Sequence, residues 1–573
     1  MCSLSFFILL VFSLIILLFG FYYLLFDLSL FIEWELFSLN CSMVVMTLII
    51  DWMSLIFMSF VMFIFSLVIY YSYDYMSGES SMNRFTLLVL MFIFSMIFLI
   101  LSPNLISILL GWDGLGLISY CLVIYYYNLS SYNSGMLTAL SNHVGDVAIL
   151  ISIAWMMSFG SWNYIFYYDF LNSSWEVKVI TLLIVLAAIT KSAQLLFSSW
   201  LPAAMAAPTP VSALVHSSTL ATAGVYFIIR FNSMLIEFGM GKILLIIGCL
   251  TMFMSGFVAN FEFDLKKSIS LSTLSQLGLM MEILSMGFYK VAYFHMLTKA
   301  LFKAFMCAGS MIHNLKDSQD IRFMVSVIYF MPLTSVCLNV SSLSLCGMPF
   351  LSGFYSKDLI LELICFDWVD LFSFFTLFFS TGLTASYSFR LYCFSMFGFN
   401  NHFSSYNFDD HNNYISFSMI SLLFISVFSG SLLSWLIFPF PYVIVLPFYL
   451  KILFIITVLL GFNFGYLTSC FSFKYTLFSF YWQLMISFLG SMWFMPYLST
   501  NYLISSSLSY GYNVLKILDY GWGELMGGYS LYHFFIYMIN YSQFWYDLNF
   551  KVYLFTFMFW MIILFMIFYI YFS

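Results

Sequence analysis

The sequence predicts an all-α polytopic membrane protein, and the observations behind this prediction are its composition and its hydropathy pattern. Hydrophobic residues make up 63% of the 573 residues, whereas charged residues make up only 8%. Soluble domains carry roughly a quarter of charged residues, so lipid must surround most of this chain. Apolar runs such as 85–101 do not alternate polar and apolar residues, so strands are not expected. At about 20 residues per span plus short loops, the length predicts about 15–16 transmembrane helices.

Two interruptions of helical sequence lie inside apolar surroundings. The segment from Trp200 to Pro210 follows Lys191, and the segment from Gly347 to Gly353 precedes Lys357. Discontinuous helices at corresponding positions of two halves are a sequence sign of a transport site. The separation of about 160 residues between the two lysines fits two repeated units of about five helices each.

The last part of the chain differs from the rest. Residues 512–550 mix apolar side chains with polar and charged ones, which predicts an amphipathic helix that lies along the membrane or along a partner. The charged and histidine members are Lys516, Asp519, Glu524, His533 and Asp547. Residues 551–573 are mostly apolar and predict a terminal transmembrane anchor.

Several charged residues lie in or beside apolar segments, where each costs roughly 2.5 to 3.5 kcal/mol at the centre of a span. They are Asp113, Asp146, Lys191, Lys299, Lys303, Lys357 and Arg390. For any one of them, a structural ion pair or a helix-capping charge is an equally good interpretation. Their clustering favours side chains that face the interior of the bundle or a hydrated cavity.

One helix face carries three basic residues. His295, Lys299 and Lys303 have the i, i+4 and i+8 spacing that aligns side chains on a helix. Three charged bases in a row repel one another, so at least one should be neutral part of the time, as in a proton relay. His216 follows the first interruption. A lone histidine usually bonds helices together, but its place between Lys191 and this basic helix indicates a proton carrier.

Other kinds of chemistry are excluded by what the sequence lacks. The cysteines form no C-x-x-C pair, so iron–sulfur or zinc ligation is not expected, and no phosphate-binding loop or dinucleotide fingerprint is present. No basic stripe fits a nucleic acid. The first basic residue is Arg84, so the chain is expected to be inserted by its own helices rather than by a signal or transit peptide. The energy for transport must come from outside the chain.

Six short motifs lie around the charges in apolar segments and around the two interruptions. They are Gly111-Trp112-Asp113-Gly114-Leu115-Gly116, Lys191-Ser192-Ala193-Gln194, the segment 208–216, the segment 272–278, Phe302-Lys303-Ala304 and the segment 353–358. As a set, these motifs strongly resemble the antiporter-like subunits of respiratory complex I. They lie between about residue 51 and about residue 390, and the tail resembles that of the distal subunit of this family. Subunits of cation/proton antiporters share the core motifs and are the alternative. A passive scaffold with lysines in static pairs is a third interpretation.

The resemblance implies two inverted five-helix repeats, each with a half-channel, joined by a hydrated axis. It implies that Asp113 and Lys191 are the acid and base of the first repeat and that Asp146 is a further acid. The implied relay consists of His216, His295, Lys299, Lys303 and Lys357, with Asp358 beside the last. The family commonly has Glu where this chain has Asp113, and the shorter side chain favours a water-bridged contact with Lys191.

The resemblance also implies the setting of the chain. The chain would be a multi-pass, proton-translocating subunit of complex I in the mitochondrial inner membrane, driven by electron transfer from NADH to ubiquinone. It would hold no cofactor, because FMN, the iron–sulfur clusters and ubiquinone would bind to other subunits. The expected partners are the adjacent antiporter-like subunit 4, accessory subunits and membrane lipid, cardiolipin included, but no nucleic acid. The predicted segments are N-terminal helices 1–83, repeats 84–230 and 231–395, membrane helices 396–511, lateral helix 512–550 and anchor 551–573.

Overall fold

The computed structural model describes residues 1–39, 42–164, 174–309, 319–323, 327–366, 370–397, 410, 412–470, 482–546 and 550–572. The chain divides into two compact units, Met1–Pro496 and Tyr497–Ser573. Most of the regular structure in these ranges is helical. Within the same ranges, nine helices are long and apolar enough to cross a membrane. The predicted class, an all-α polytopic membrane protein, is therefore confirmed apart from one hairpin.

This hairpin lies between the first two long helices, and the expectation that strands are absent is wrong for it. The elements are α1 Cys2–Phe26, β1 Leu30–Leu39, β2 Ser42–Ile50 and α2 Trp52–Tyr75. The strands pair antiparallel, and α1 packs on α2. Val, Ile and Thr are frequent in 42–50, and such branched side chains favour a pleated strand over a helix.

Polar contacts from distant parts of the chain hold the hairpin in place. The side-chain amide of Asn163 donates a hydrogen bond of 3.1 Å to Glu33, and that of Asn104 donates one of 3.0 Å to the carbonyl oxygen of Val45. Each contact joins residues more than fifty positions apart, so local sequence carries no sign of it.

Long helices that pack on their sequence neighbours make up the next part of the larger unit. Their bounds are α3 Met82–Leu101, α4 Leu105–Val123, α5 Leu129–Met156 and α6 Trp175–Lys191. Helix α4 packs on α3 and on α5, and α6 packs on α5. Helix α6 ends at Lys191, where the first interruption begins.

The first predicted interruption is confirmed. The short elements after α6 are α7 Trp200–Ala203, the 3-10 turn Ala204–Ala206, α8 Thr209–Val211 and the π-helix Ser212–Thr219. Pro208 precedes α8 and Pro210 lies in its first turn, where a missing N–H group is tolerated. Regular helix resumes in α9, Leu220–Arg230, which packs back against α6.

The second predicted interruption is confirmed as well. The elements around it are α10 Asn232–Glu237, α11 Gly241–Phe261, α12 Leu265–Ser285, α13 Tyr289–Gly309, the 3-10 turns Ile321–Phe323 and Val327–Tyr329, α14 Pro332–Cys346 and α15 Ser352–Phe366. Helix α14 ends where Gly347 adopts a φ of 83°, which glycine accepts without strain. The inverted relation of two repeats stays a prediction.

Further helices complete the larger unit and reach the division between the units. They are α16 Leu371–Met396, α17 Asn413–Ile437, α18 Phe448–Cys470, α19 Gln483–Gly490 and α20 Met495–Tyr497. Helix α16 packs on α11 and α18, and α13 packs on α17. Before α17, His402, Asp409 and His411 lie outside the described residues, whereas Asp410 is described.

The smaller unit is helical over nearly all of its described residues. Its elements are the π-helix Leu498–Tyr502, α21 Leu503–Val514, the π-helix Leu515–Gly523, α22 Glu524–Met526, α23 Gly528–Tyr546 and α24 Phe550–Phe572. Helix α24 is long and apolar enough to span a membrane, as predicted for the anchor. The helical elements of this unit begin at Leu498, earlier than the predicted residue 512. Asp547 lies outside the described residues, and the lateral placement stays a prediction.

The number of spans, predicted as about 15–16, also stays a prediction. Helices α12, α13 and α16 have 21, 21 and 26 residues, which is long enough to cross a membrane. They are not among the nine apolar helices because they carry polar and charged side chains. Hydropathy therefore undercounts spans whose polar faces are buried inside the protein.

Asp410 caps a helix that is distant from it in sequence. Its Oδ2 atom accepts hydrogen bonds from the backbone N–H groups of Leu333 at 2.8 Å and Thr334 at 3.4 Å. Both groups lie in the first turn of α14, where N–H groups have no partner within the helix. A carboxylate there also complements the positive end of the helix dipole.

Replacing Asp410 with alanine should destabilise the fold by about 1 kcal/mol, because the first turn of α14 loses its acceptor. The measurement is the thermal unfolding of the detergent-solubilised protein. The matched control is Asn412→Ala, since Asn412 stands at the N-cap position of α17 without a conventional side-chain cap hydrogen bond. Equal effects of the two substitutions would contradict the capping role.

Candidate functional site

Lys191 is the last residue of α6 and is fully buried. Its ammonium group donates a hydrogen bond of 3.1 Å to the backbone carbonyl oxygen of Trp112 in α4. It also lies 5.0 Å from the centroid of the Trp112 ring, within the range of a cation–π contact. A neutral carbonyl and an aromatic face therefore hold this base.

The glycine-rich motif of α4 makes this contact possible. A methyl group on Gly111 would lie 2.7 Å from the backbone nitrogen of Leu99, so α3 and α4 approach closely at this point. A methyl group on Gly116 would lie 3.4 Å from the Lys191 ammonium nitrogen. The spacing of small residues leaves room for a neighbouring helix at one glycine and for the lysine side chain at the other.

The backbone of the turn after Lys191 is strained, and a residue that follows the turn caps the end of α6. Ala193 and Leu196 adopt φ values of 54° and 81°, a left-handed conformation that is costly for residues other than glycine. The indole N–H group of Trp200 donates a hydrogen bond of 3.1 Å to the carbonyl oxygen of Thr190 at the end of α6. The interruption thus supplies its own cap beside the buried lysine.

The predicted acids do not pair directly with Lys191. Asp113 is half-buried, and its Oδ1 atom has no hydrogen-bond partner. Asp146 contacts His143 at 2.9 Å through Oδ2. Among the described residues, no ion pair within 4 Å joins either aspartate to Lys191.

His216 lies in the π-helix Ser212–Thr219, which packs on α13. Its side chain lies outside what the structure describes. Short π-helical segments are rare and are frequent at functional sites, so the backbone at this residue is unusual.

His295 connects two helices to α13. Its Nδ1 atom lies 2.9 Å from the hydroxyl of Ser356 in α15, and its Nε2 atom lies 3.2 Å from the side-chain oxygen of Gln276 in α12. Thr298 also donates a hydrogen bond of 3.1 Å to Ser356. Because Ser356 directly precedes Lys357, the basic face of α13 reaches the second interruption through one hydroxyl.

The two lysines of α13 are fully buried on the same face as His295. Lys303 donates a hydrogen bond of 2.5 Å to the hydroxyl of Ser272 in α12. The ammonium nitrogen of Lys299 has no hydrogen-bond partner. These bases have neutral partners or none, so no fixed negative charge keeps them protonated.

Lys357 is buried at the start of α15 and has neutral partners too. It donates hydrogen bonds to the Thr384 hydroxyl at 3.0 Å and to the carbonyl oxygen of Leu345, near the end of α14, at 3.4 Å. Asp358 is half-buried. Among the described ion pairs within 4 Å, none involves Asp358. The predicted neighbours are therefore adjacent in sequence without pairing.

Some charges in apolar segments have structural roles. Arg390 donates hydrogen bonds to the carbonyl oxygens of Ala259 and Asn260 at the end of α11. A cation at the carboxyl end of a helix complements the helix dipole. For Arg390, the interpretation as a helix-capping charge is supported.

Sequence reasoning missed one buried acid, Glu282 of α12. The residue is 2% exposed, and neither of its carboxyl oxygens has a hydrogen-bond partner. It lies in the apolar run 277–284, so the criterion that selected Asp113 also applies to it. Sequence reasoning also missed the neutral partners Trp112, Ser272, Gln276 and Thr384, because hydroxyls, amides and carbonyls in helices are too common to stand out.

Metal binding finds no support in the described part of the chain. No group of three or more His, Cys, Asp or Glu side chains comes together there as a set of ligands. The arrangement that the structure does offer is a series of buried bases with exchangeable protons.

Known protein families and relatives match nearly the whole length of the chain. The families described as NADH-Ubiquinone oxidoreductase (complex I), chain 5 N-terminus, as NADH:quinone oxidoreductase/Mrp antiporter, TM, and as NADH dehydrogenase subunit 5 C-terminus match residues 37–86, 102–384 and 387–568. NADH-ubiquinone oxidoreductase chain 5 of Locusta migratoria is 70% identical over 572 residues, which covers 100% of both chains. The chain belongs to the NADH-ubiquinone oxidoreductase chain 5 family.

More distant members of the family agree. The chain 5 proteins of Anopheles gambiae and Lumbricus terrestris are 56% and 42% identical to this chain. The alignment covers 99% of this chain and 98% of the mosquito relative, and 87% of each chain for the earthworm relative. The resemblance to the antiporter-like subunits of complex I is therefore confirmed.

A solved structure of the Mrp complex from Dietzia sp. DQ12-45-1b has the same fold in one of its chains. The TM-score is 0.68 at 20% identity, over 81% of this chain and 56% of that chain. This chain therefore spans little more than half of the length of the Mrp chain. At this identity the likeness shows the fold alone, so it adds little to the antiporter alternative.

Enlarging Gly116 should disturb the Lys191 contact. A valine there would crowd the ammonium group and displace it from the Trp112 carbonyl, because its methyl groups extend beyond the 3.4 Å position. Such overpacking typically costs about 1 to 3 kcal/mol. We expect Gly116→Val to lower proton translocation per NADH oxidised severalfold and Gly116→Ala to lower it little.

The measurement uses membrane vesicles in which proton uptake and NADH oxidation are followed together. Gly78→Val is the control, because a side chain at Gly78 meets no atom within 4 Å. Normal coupling in an assembled Gly116→Val complex would show that the Trp112 contact is dispensable.

Proposed function

We propose that this chain translocates protons as a membrane subunit of complex I through the buried bases Lys191, Lys299, Lys303 and Lys357. Membership in the chain 5 family makes it a subunit of the NADH:ubiquinone oxidoreductase enzyme. Electron transfer from NADH to ubiquinone belongs to other subunits, where FMN, the iron–sulfur clusters and ubiquinone are expected. One observation carries the proposal: these buried ammonium groups contact neutral groups or none at all.

The coupling step is a change in the surroundings of Lys191. Trp112, which holds the ammonium group, directly precedes Asp113 in α4. A small rotation of α4 would replace a neutral carbonyl by a carboxylate beside the lysine and would thus favour the charged form. Moving one proton against roughly 150–200 mV requires about 3.5 to 4.6 kcal/mol. A carboxylate close to a buried ammonium can supply an interaction of this size.

The proposed route continues from Lys191 past His216 to the basic face of α13. The π-helix that contains His216 packs on α13, which supports this order. From Lys299 and Lys303 the route proceeds by way of His295 and Ser356 to Lys357, with Asp358 beside it. The hydrogen bond between His295 and Ser356 supports the last step.

The exposed face of α5 is proposed as a contact with a neighbouring subunit. His143 is 62% exposed there and is paired with Asp146. A hydrogen-bonded pair that includes a carboxyl group would be costly against lipid, so a protein neighbour should cover it. We assign this neighbour to the adjacent antiporter-like subunit 4. Accessory subunits and membrane lipid, cardiolipin included, complete the proposed setting in the mitochondrial inner membrane.

Replacing Lys191 with alanine should uncouple this subunit without preventing assembly. Proton translocation per NADH oxidised should fall severalfold, because the base next to Asp113 is lost. The measurement combines proton uptake in vesicles with a native gel stained for NADH oxidation. Lys178→Ala is the matched control, since Lys178 lies in the same helix but is exposed. Normal pumping by an assembled Lys191→Ala complex would refute the proposed route.

Replacing Lys299 with methionine distinguishes a relay from a passive scaffold. Lys299 has no partner, so an apolar side chain of similar length should leave stability unchanged or raise it by about 1 to 4 kcal/mol. The relay predicts a lower ratio of protons to electrons together with this unchanged or higher thermal stability. A scaffold role predicts an unaltered ratio, which would exclude Lys299 from the route.

A further inference from the structure

Glu282 is a buried carboxyl group that the proposed route does not use. It lies in α12, is 2% exposed, and neither oxygen has a hydrogen-bond partner. An ionised carboxylate without donors is unstable in apolar surroundings. Glu282 must therefore hold a proton, or must gain a donor in another state of the protein.

Polar groups lie between Glu282 and the exposed start of α16 at the edge of the bundle. The Cys249 thiol of α11 lies beside the carboxyl group and donates to the carbonyl oxygen of Ser373 at 3.9 Å. Thr376, one turn further along α16, donates to the same carbonyl at 3.0 Å. The Ser373 hydroxyl donates at 2.6 Å to the carbonyl of the exposed residue Asp370. These polar groups connect Glu282 with the exposed start of α16.

The end of α12 meets the start of α11 at this edge. Helix α12 ends at Ser285, three residues or about 4.5 Å along the axis from Glu282. The start of α11 is adjacent, because a side chain on Gly241 would lie 2.5 Å from the Ser285 carbonyl oxygen. Glu282 is thus buried within one turn of the end of its helix.

In the direction of Lys191, Glu282 lies where α11 and α12 pack closely. Gly248 and Gly278 let α11 and α12 approach closely: a side chain on Gly248 would lie 2.9 Å from Glu282 Cγ, and one on Gly278 would lie 2.7 Å from the Thr251 hydroxyl. That hydroxyl donates a hydrogen bond of 2.7 Å to the side-chain oxygen of Gln194.

Gln194 lies three residues after Lys191, in the strained turn that follows α6. Polar groups therefore lie on both sides of Glu282, towards the exposed start of α16 on one side and towards the first interruption on the other. These groups do not include the bases of α13.

We propose that Glu282 is a further proton-binding residue on a branch that connects the α11–α12–α16 edge with Lys191. This inference rests on the proposed role of Lys191 as a proton carrier. The titratable groups along the branch are Asp370, Cys249, Glu282 and Lys191. Glu282 takes up a proton from the edge and releases it towards Thr251 and Gln194.

Chemical labelling of the intact complex in its membrane tests whether Glu282 exchanges protons. Dicyclohexylcarbodiimide, an apolar reagent, reacts with protonated carboxyl groups in apolar surroundings, whereas a water-soluble carbodiimide reacts with exposed ones. Mass spectrometry should find Glu282 modified by the apolar reagent only, to an extent that falls as the pH rises. The exposed Glu79 is the control for the water-soluble reagent. Unmodified Glu282 at every pH would overturn the proposal.

Substitution tests whether the exchanged proton contributes to pumping. Glu282→Gln should lower the ratio of protons to electrons by a measurable fraction in an assembled complex, and Glu282→Asp should restore most of it. Glu79→Gln should change nothing. An unaltered ratio in assembled Glu282→Gln would overturn the proposal even if Glu282 is labelled. If the glutamine variant does not assemble, the labelling result decides.

The proposed branch and the proposed main route can be refuted separately. Normal pumping by Lys191→Ala would refute the main route and with it the end point of the branch. Impaired pumping by Lys191→Ala together with normal pumping by Glu282→Gln would refute the branch alone. The labelling of Glu282 does not depend on Lys191.

Discussion

The hydrogen bond from the Lys191 ammonium group to the Trp112 carbonyl oxygen is the contact on which the first half of the bundle depends. Lys191 is the last residue of α6, and its side chain extends across to α4. The contact needs a small residue at 116, because a side chain larger than a methyl group would crowd the ammonium group. It also requires the turn that follows, in which Trp200 caps the end of α6.

In the second half of the bundle, Lys357 is held in a similar way by different residues. Lys357 donates to the carbonyl oxygen of Leu345 near the end of α14, and the aromatic ring of Phe454 lies 5.9 Å away. Both lysines thus combine a backbone carbonyl oxygen with an aromatic face. The carbonyl lies within α4 for Lys191 and near the end of α14 for Lys357. Carbonyl groups near interrupted helix ends can accept hydrogen bonds from a buried cation without adding a fixed negative charge. The protonation of each lysine therefore remains responsive to nearby acids.

The buried charges differ in the groups that they contact. Arg230 forms an ion pair of 2.8 Å with Asp51, and Arg390 binds carbonyl oxygens at a helix end and stays charged at any physiological pH. Asp410 is held by two N–H groups of α14. Among the buried ionisable groups with neutral partners or none, Lys299 and Glu282 stand apart, since each lacks a hydrogen-bond partner.

The helical class, the two interruptions and the basic face of α13 could be predicted from the amino-acid sequence alone. These features depend on local properties: apolar runs, proline and glycine positions, and the helical spacing of residues 295, 299 and 303. The strands 30–39 and 42–50 were not predicted, because apolar residues dominate them and the overall hydropathy concealed their strand-forming side chains. The group that each charge contacts could be found only from the folded protein. Lys191 and Trp112 are 79 positions apart, and Thr251 and Gln194 are 57 apart. Such partners follow from how helices pack, and helix packing depends on many weak contacts that no short stretch of sequence specifies.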